Sequence, residues 1–127
     1  NHRIGLFDCI LIKEIHIEAA GSITQAIARM RTEFFALPIE IEVESIEELA
    51  EAMDAGADIA LLDNFSDEDI EQAVCVSAGR VKLEASGGYD FARMEKIANI
   101  GVDFISVGAL TKHLTAIDFS MRFLATH

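Results

Sequence analysis

The fold is decided by residues 39–63, whose sequence is IEIEVESIEELAEAMDAGADIALLD. The stretch begins with strict alternation of apolar and acidic residues, which is typical of a β-strand with two unlike faces. Ser45 followed by Glu48 is a capping box, which predicts that a helix begins there. Gly56 follows the expected helix end, and residues 58–63 form an apolar run typical of a buried strand. The stretch therefore predicts one strand–helix–strand unit.

The same alternation of short apolar runs and amphipathic segments recurs along the chain. The predicted strands are 9–13, 39–44, 58–63, 81–86 and 103–108. The predicted helices are 22–34, 45–55, 67–78 and 90–100. Strands that alternate with helices indicate βαβ units, so we expect an α/β fold, a parallel (β/α) barrel, with a sixth strand near 117–123. A doubly wound open sheet is the alternative, but the glycine-rich turn that would favour it does not follow the first run.

Composition limits the class of protein and its partners. The 127 residues are 51% hydrophobic and 25% charged, which is enough to bury a core and argues against disorder. Lys and Arg number 10 against 22 Asp and Glu, so the formal net charge is −12 and neither nucleic acid nor membrane is expected as a partner. Two cysteines, Cys9 and Cys75, are too few for a disulfide framework, which favours a cytoplasmic location.

The first residue is Asn1 rather than Met. We therefore expect residues 1–127 to form a single partial barrel domain, incomplete because an N-terminal part of the protein is missing.

Polar residues stand where the predicted strands end, and active sites of (β/α) barrels lie at that edge. They are Lys13, Glu42 with Glu44, Asp63 with Asn64, Glu84 with Ser86, and Ser106 with Gly108. The alternation in 39–44 predicts that its three carboxylates point into the barrel, where they need a cation, a metal or a ligand. A solvated edge strand with a charged outer face is the equal alternative. Carboxylate oxygens also suit Mg²⁺, although surface ion pairing explains most such groups.

Two consecutive predicted strands are followed by loops of a kind that binds phosphate. Ser86-Gly87-Gly88 follows the fourth strand, and Ser106 to Lys112, including Gly108, follows the fifth. Glycines let backbone N–H groups approach an oxyanion closely. An ordinary βα turn explains either loop taken alone, whereas two in succession favour a phosphate site.

Basic residues are scarce in this acidic chain, so their clustering carries information. His2, Arg3 and Lys13 fall within the first repeat and form a candidate attractor for an anionic substrate. The alternative for His2 and Arg3 is a frayed terminus.

Six motifs in order resemble the C-terminal part of the quinolinate phosphoribosyltransferases, the carboxylating nicotinate-nucleotide pyrophosphorylases. They are NHRIGLFD at 1–8, LIKEIHI at 11–17, EVE at 42–44, LDN at 62–64, EASGG at 84–88 and ISVGALT at 105–111. The resemblance implies phosphoribosyl transfer from phosphoribosyl pyrophosphate to quinolinate with decarboxylation and a requirement for Mg²⁺. It also implies a homodimer, and an incomplete (β/α) barrel packed on an N-terminal α/β sandwich domain.

The resemblance also implies roles for individual residues. His2, Arg3 and Lys13 match the pocket for the quinolinate carboxylates. Glu42 and Asp63 match the acidic residues beside the ribose hydroxyls and the metal-bound pyrophosphate, so Lys13, Glu42 and Asp63 are the candidate catalytic residues. The residues that match the phosphate-binding loops are Ser86, Gly87, Gly88, Ser106, Gly108 and Lys112.

One residue departs from the family pattern. Ile15 stands where the family usually has Asn and cannot make the hydrogen bonds of an amide. Because upstream basic residues of the pocket are absent, we expect no turnover from the 127 residues alone. The alternatives are a molybdenum-transport-associated homologue or another phosphoribosyltransferase of the same fold, and a non-catalytic phosphate-binding module.

Overall fold

The computed structural model of the chain describes residues 9–87, 90–108 and 120–124. The strands are β1 (Ile10–Ile12), β2 (Ile39–Val43), β3 (Ile59–Asp63), β4 (Lys82–Gly87), β5 (Phe104–Gly108) and β6 (Ser120–Leu124). The helices are α1 (Glu14–Ala20), α2 (Ile23–Glu33), α3 (Ile46–Ala55), α4 (Asp67–Ser77) and α5 (Phe91–Ile100). The five predicted strands and four predicted helices are confirmed, whereas α1 was not predicted.

The strands form one six-stranded sheet in the order β1-β2-β3-β4-β5-β6. Strands β1 to β5 pair in parallel, each with the next along the chain, as repeated βαβ units require. The α/β class with a parallel sheet is therefore confirmed. The pairing of β2 with both β1 and β3 shows that the acidic strand is internal, which excludes the edge-strand alternative.

The sixth strand differs from its prediction in direction, because β6 pairs antiparallel with β5. A parallel connection needs a crossover of about a dozen residues or more, usually with a helix. Only 11 residues, 109–119, separate the end of β5 from the start of β6. The short connection is consistent with a strand that returns beside β5.

The sheet has two unlike faces. One face is apolar and packs on the helices, with Ile41, Val43 and Leu62 completely buried in a single hydrophobic core. The opposite face carries Glu40 and Glu84, both completely buried, on the same side as Glu42. The polar side chains at the carboxyl ends of the strands lie on this second face.

Serine and aspartate side chains mark where four helices begin. The Oγ atoms of Ser22, Ser45 and Ser66 each accept a hydrogen bond of 3.1 Å from a backbone N–H three residues later. Asp90 caps α5 in the same way at 2.8 Å. The Glu48 side chain accepts a hydrogen bond of 2.7 Å from the N–H of Glu44, the residue before the predicted cap Ser45. Capping predicts these helix starts to within a residue.

Two aspartates hold the starts of neighbouring strands together. Asp58, just before β3, accepts from the Ile39 N–H at 2.8 Å, and Asp103, just before β5, accepts from the Leu83 N–H at 2.9 Å. In each case the backbone N–H of the aspartate donates back to the same residue's carbonyl at 2.9 Å. The pattern Gly-x-Asp, at 56–58 and 101–103, is therefore a repeated device at the amino ends of the strands.

None of the helices in the described parts of the chain is both long and apolar enough to cross a membrane.

Candidate active site

The carboxyl ends of the parallel strands bring the predicted site residues to one edge of the sheet. Lys13 directly follows β1, Glu42 lies in β2, and Asp63 ends β3. The Cα of Ser86 pairs with that of Asp63, and Ser106 pairs with Ser86, so three strand ends lie side by side. Since Glu42 pairs with a residue two before Asp63, all these side chains leave the sheet on the face that holds the buried glutamates.

The remaining predicted site residues divide into two groups. Gly87 ends β4 and pairs with Val107, the last residue but one of β5, and Gly108 ends β5, so both glycines lie at the same edge. His2, Arg3, Gly88 and Lys112 lie outside the described residues. The roles predicted for all of these residues remain predictions.

The turn after β3 places Asp63 at the end of its strand. Asn64 follows with a φ of 62°, which is in the left-handed region. Asn tolerates this conformation better than most residues other than glycine. The sequence pair Asp63-Asn64 therefore combines a carboxylate at the strand end with a sharp change of chain direction after it.

Glu42 is half-buried, and its surroundings raise its pKa. Burial is the largest cause because it disfavours the charged form, and the neighbouring Asp63 carboxylate raises the pKa further. The Lys13 ammonium and a hydrogen bond from the Glu14 backbone N–H lower it in part. Glu42 is therefore electrostatically coupled to both of the other candidate catalytic residues.

The three carboxylates of the acidic strand differ in exposure, which the alternation in sequence did not predict. Glu40 is buried and accepts from the Cys9 thiol at 3.7 Å, Glu42 is half-buried, and Glu44 is exposed. The pKa of Glu44 is raised, chiefly by the Glu14 carboxylate. The graded exposure arises because β2 runs from the interior to the carboxyl edge, where solvent begins.

Helix α1 contributes a backbone N–H and a histidine to this edge. The Glu14 backbone N–H lowers the pKa of Glu42, and Nδ1 of His16 accepts a hydrogen bond of 3.0 Å from the Lys13 N–H. Ile15 is 69% exposed, and the bond between Lys13 and His16 forms without any contribution from its side chain. The helix buries none of its side chains fully, so it lacks the apolar periodicity that would have predicted it.

Glu42 and Asp63 are the carboxylates of this edge that were predicted to lie beside Mg²⁺. In the described residues, no group of three or more His, Cys, Asp or Glu side chains is placed to hold a metal ion. Glu42 and Asp63 nevertheless interact as neighbouring carboxylates. Mg²⁺ is usually held by one or two carboxylates together with substrate phosphates, so these two residues fit a metal that arrives with a pyrophosphate.

Comparison with known proteins identifies the family. The model of the family described as quinolinate phosphoribosyl transferase, C-terminal domain, matches residues 1–122. A probable carboxylating nicotinate-nucleotide pyrophosphorylase of Bacillus subtilis is 38% identical over 122 residues, which cover 95% of this chain and 42% of that protein. The human carboxylating nicotinate-nucleotide pyrophosphorylase is 35% identical over 129 residues, 98% of this chain and 43% of that protein.

The similarity extends to three-dimensional structure. The nicotinate-nucleotide pyrophosphorylase of Francisella tularensis superposes with a TM-score of 0.79 at 47% identity, covering 100% of this chain and 44% of that one. The chain thus spans less than half the length of these relatives. The resemblance indicated by the motifs is confirmed, and the chain belongs to the quinolinate phosphoribosyl transferase C-terminal domain family.

Proposed function

We propose that this chain carries the catalytic edge of an enzyme that transfers a phosphoribosyl group from phosphoribosyl pyrophosphate to quinolinate. The products are nicotinate mononucleotide, pyrophosphate and carbon dioxide. The observation that carries the proposal is the convergence of Lys13, Glu42, Asp63 and Ser86 at one sheet edge, with Glu42 coupled to Lys13 and Asp63. Relatives whose names state this kind of activity support it.

The carboxylates suit the glycosyl-transfer step. Departure of pyrophosphate leaves positive charge at the anomeric carbon of the ribose, and the quinolinate nitrogen forms the new bond there. Glu42 and Asp63 stabilise that charge directly or through the ribose hydroxyls. Mg²⁺ bound with the pyrophosphate, beside Glu42 and Asp63, would neutralise negative charge on the leaving group. No covalent nucleophile on the protein is needed.

The basic and glycine-rich segments suit substrate binding. His2, Arg3 and Lys13 hold the two carboxylates of quinolinate, and the phosphate lies against the loops after β4 and β5. These loops contribute Ser86, Gly87, Gly88, Ser106, Gly108 and Lys112.

Decarboxylation follows the transfer. The new bond makes the ring nitrogen cationic, so the electron pair of the adjacent carbon–carboxylate bond can stay on the ring carbon as carbon dioxide leaves, stabilised by the positive nitrogen beside it. The ring carbon then takes up a proton. Lys13 holds the departing carboxylate in place until this bond breaks.

The proposal includes the setting of the enzyme. We place it in the cytoplasm as a homodimer, with Mg²⁺ as its cofactor. The cytoplasmic location rests on the cysteine content, and the homodimer rests on the family resemblance.

The test measures release of labelled carbon dioxide from carboxyl-labelled quinolinate, with the 127-residue chain and with the complete gene product that contains it. Release that depends on both phosphoribosyl pyrophosphate and Mg²⁺ is expected from the complete gene product. Glu42→Gln and Asp63→Asn should each lower kcat by about a hundredfold or more, since each removes charge stabilisation from the transition state.

The matched control is Glu71→Gln, which neutralises an exposed carboxylate of α4 and should leave kcat unchanged. Nicotinate in place of quinolinate should bind more weakly, because it leaves part of the basic pocket without a partner. Full activity of both site variants would contradict the proposed roles.

A further inference from the structure

The β1–α1 turn holds its own shape through a histidine. Nδ1 of His16 accepts a hydrogen bond of 3.0 Å from the backbone N–H of Lys13, while the Lys13 carbonyl accepts from the His16 N–H at 2.9 Å. An acceptor at Nδ1 requires the neutral tautomer with its proton on Nε2. His16 and Lys13 are therefore joined by two reciprocal hydrogen bonds across the first turn of the helix.

Helix α1 depends on this cap more than the other helices do on theirs. It has seven residues and no fully buried side chain, and a helix this short is marginal by itself. Its cap residue, Lys13, carries an ammonium group, which has no lone pair to accept a backbone N–H as the serines before α2, α3 and α4 do. Of the two hydrogen bonds of a capping box, only the one from the Lys13 N–H to His16 can therefore form.

The same turn carries three groups that act on Glu42, one of which, the Glu14 carboxylate, disfavours its charged form. The Lys13 ammonium and the Glu14 backbone N–H both favour the charged form of this carboxylate, against the effect of burial. Because Lys13 and Glu14 are the cap and the first helical residue, any fraying of the turn moves both groups together.

We propose that His16 is a positioning residue that fixes the β1–α1 turn, so that Lys13 and the Glu14 N–H are held against Glu42. This inference rests on the proposed function, in which Lys13 binds quinolinate and Glu42 acts at the ribose. It adds to that function a residue that touches neither substrate and acts through the backbone of Lys13.

The test compares three variants of the 127-residue chain. His16→Leu removes the acceptor. His16→Gln keeps an acceptor at the third helical position, where Gln serves in capping boxes. Ser22→Ala removes the equivalent cap of the neighbouring helix α2, a 3.1 Å bond to the Gln25 N–H, and so controls for loss of a cap as such.

Solvent exchange of the Lys13 amide is measured by NMR, together with the ¹⁵N shifts of the His16 ring. We expect the Nε2–H tautomer in the unaltered chain. Exchange should accelerate about fivefold or more in His16→Leu, the factor that corresponds to loss of a typical cap. It should stay within about twofold in His16→Gln and Ser22→Ala, a limit below the effect of a typical cap.

Quinolinate binding, followed by NMR titration, is the second measurement. His16→Leu should weaken the Kd by about the same factor, and His16→Gln should restore it. Ser22→Ala should lower the melting temperature without changing the Kd. Equal amide exchange in all three variants, or an Nδ1–H tautomer, would overturn the role of His16. Absence of quinolinate binding by both the unaltered chain and the complete gene product would instead overturn the proposed function.

Discussion

Glu42 and Asp67 are two carboxylates whose surroundings shift their pKa values in opposite directions. Burial and a neighbouring carboxylate raise the pKa of Glu42. The pKa of Asp67 is lowered, first by its hydrogen bond to Lys96 and then by Arg93, whose nitrogens lie 2.9 Å and 2.8 Å from it. Asp67 joins the start of α4 to α5, whereas Glu42 faces the candidate site. Their contributions to folding should therefore depend on pH with opposite signs.

The variant Glu42→Gln should raise the melting temperature slightly at pH 7. A raised pKa means that the carboxyl group favours folding below its unfolded-state pKa and loses that contribution as pH rises through the folded-state value. Glutamine imitates the protonated form, so its advantage at pH 7 should shrink as pH falls through the folded-state pKa and vanish below the unfolded-state pKa, about 4.3. Differential scanning calorimetry across this range checks the sign, with Glu71→Gln as control. A lower melting temperature at pH 7 would contradict the prediction.

The variant Asp67→Asn should lower the melting temperature at pH 7. A lowered pKa means that stability is present above the unfolded-state pKa, about 3.9 for Asp, and is lost as pH falls through the folded-state value. The deficit of the variant should therefore vanish at the most acidic pH at which the chain remains folded. Thermal unfolding followed by circular dichroism measures it. Asp54→Asn, an exposed change on α3, should show no such dependence.

At the scale of elements, the starts of the strands are held by side chains rather than by packing alone. Asp58 and Asp103 each satisfy the N–H of a residue in the preceding strand, where a buried donor without a partner would be costly. Asp58 also accepts from Arg31 at 3.1 Å, which links α2 to the same point. These contacts lie at the amino ends of the strands, opposite the candidate site, and so serve stability.

Replacement of either aspartate by alanine should destabilise the chain by about 1–3 kcal/mol, the usual cost of a buried N–H left without a partner. Asp58→Ala should cost at least as much as Asp103→Ala, because it also removes a partner of Arg31. Urea unfolding gives both values, with the exposed Asp54→Ala as reference. Because these residues lie away from the strand ends of the site, quinolinate binding by the folded variants should be unchanged.

At the scale of the whole molecule, negative charge is in excess, and several carboxylates lie together near the site. The chain carries a formal net charge of −12. Among the described residues, Glu14, Glu42, Glu44 and Asp63 act on one another at the carboxyl edge of the sheet. Repulsion of this kind opposes the compact state and is reduced by salt.

The melting temperature should therefore rise when NaCl is increased from about 10 mM to about 150 mM, since the screening length falls from about 30 Å to about 8 Å. Thermal scans at several salt concentrations measure this. MgCl₂ together with pyrophosphate, at equal ionic strength, should raise the melting temperature further, because the proposed Mg²⁺ binds with the pyrophosphate. A melting temperature that falls with NaCl would show that attractive pairs such as Asp67 with Lys96 outweigh the repulsion.

The order and type of most elements could be predicted because they depend on neighbours in sequence. Alternation predicted β2, caps predicted the starts of α3 and α4, and glycines predicted where helices end. Helix α1 was not predicted because it buries no side chain completely and its cap residue is a lysine, which gives no capping signal. The direction of β6 was not predicted, because it depends on pairing with β5, and a local sequence pattern carries no information about that pairing.

For the site, the sequence by itself determined which residue types follow each strand, and the order of the motifs determined the family. The tertiary structure decided that Asp63, Ser86 and Ser106 lie side by side, that Glu40, Glu42 and Glu44 differ in exposure, and that α1 supplies an N–H to Glu42. The physical reason is distance along the chain. Local patterns act over a few residues, whereas these groups are brought together by strand pairing across loops and helices of about 20 residues.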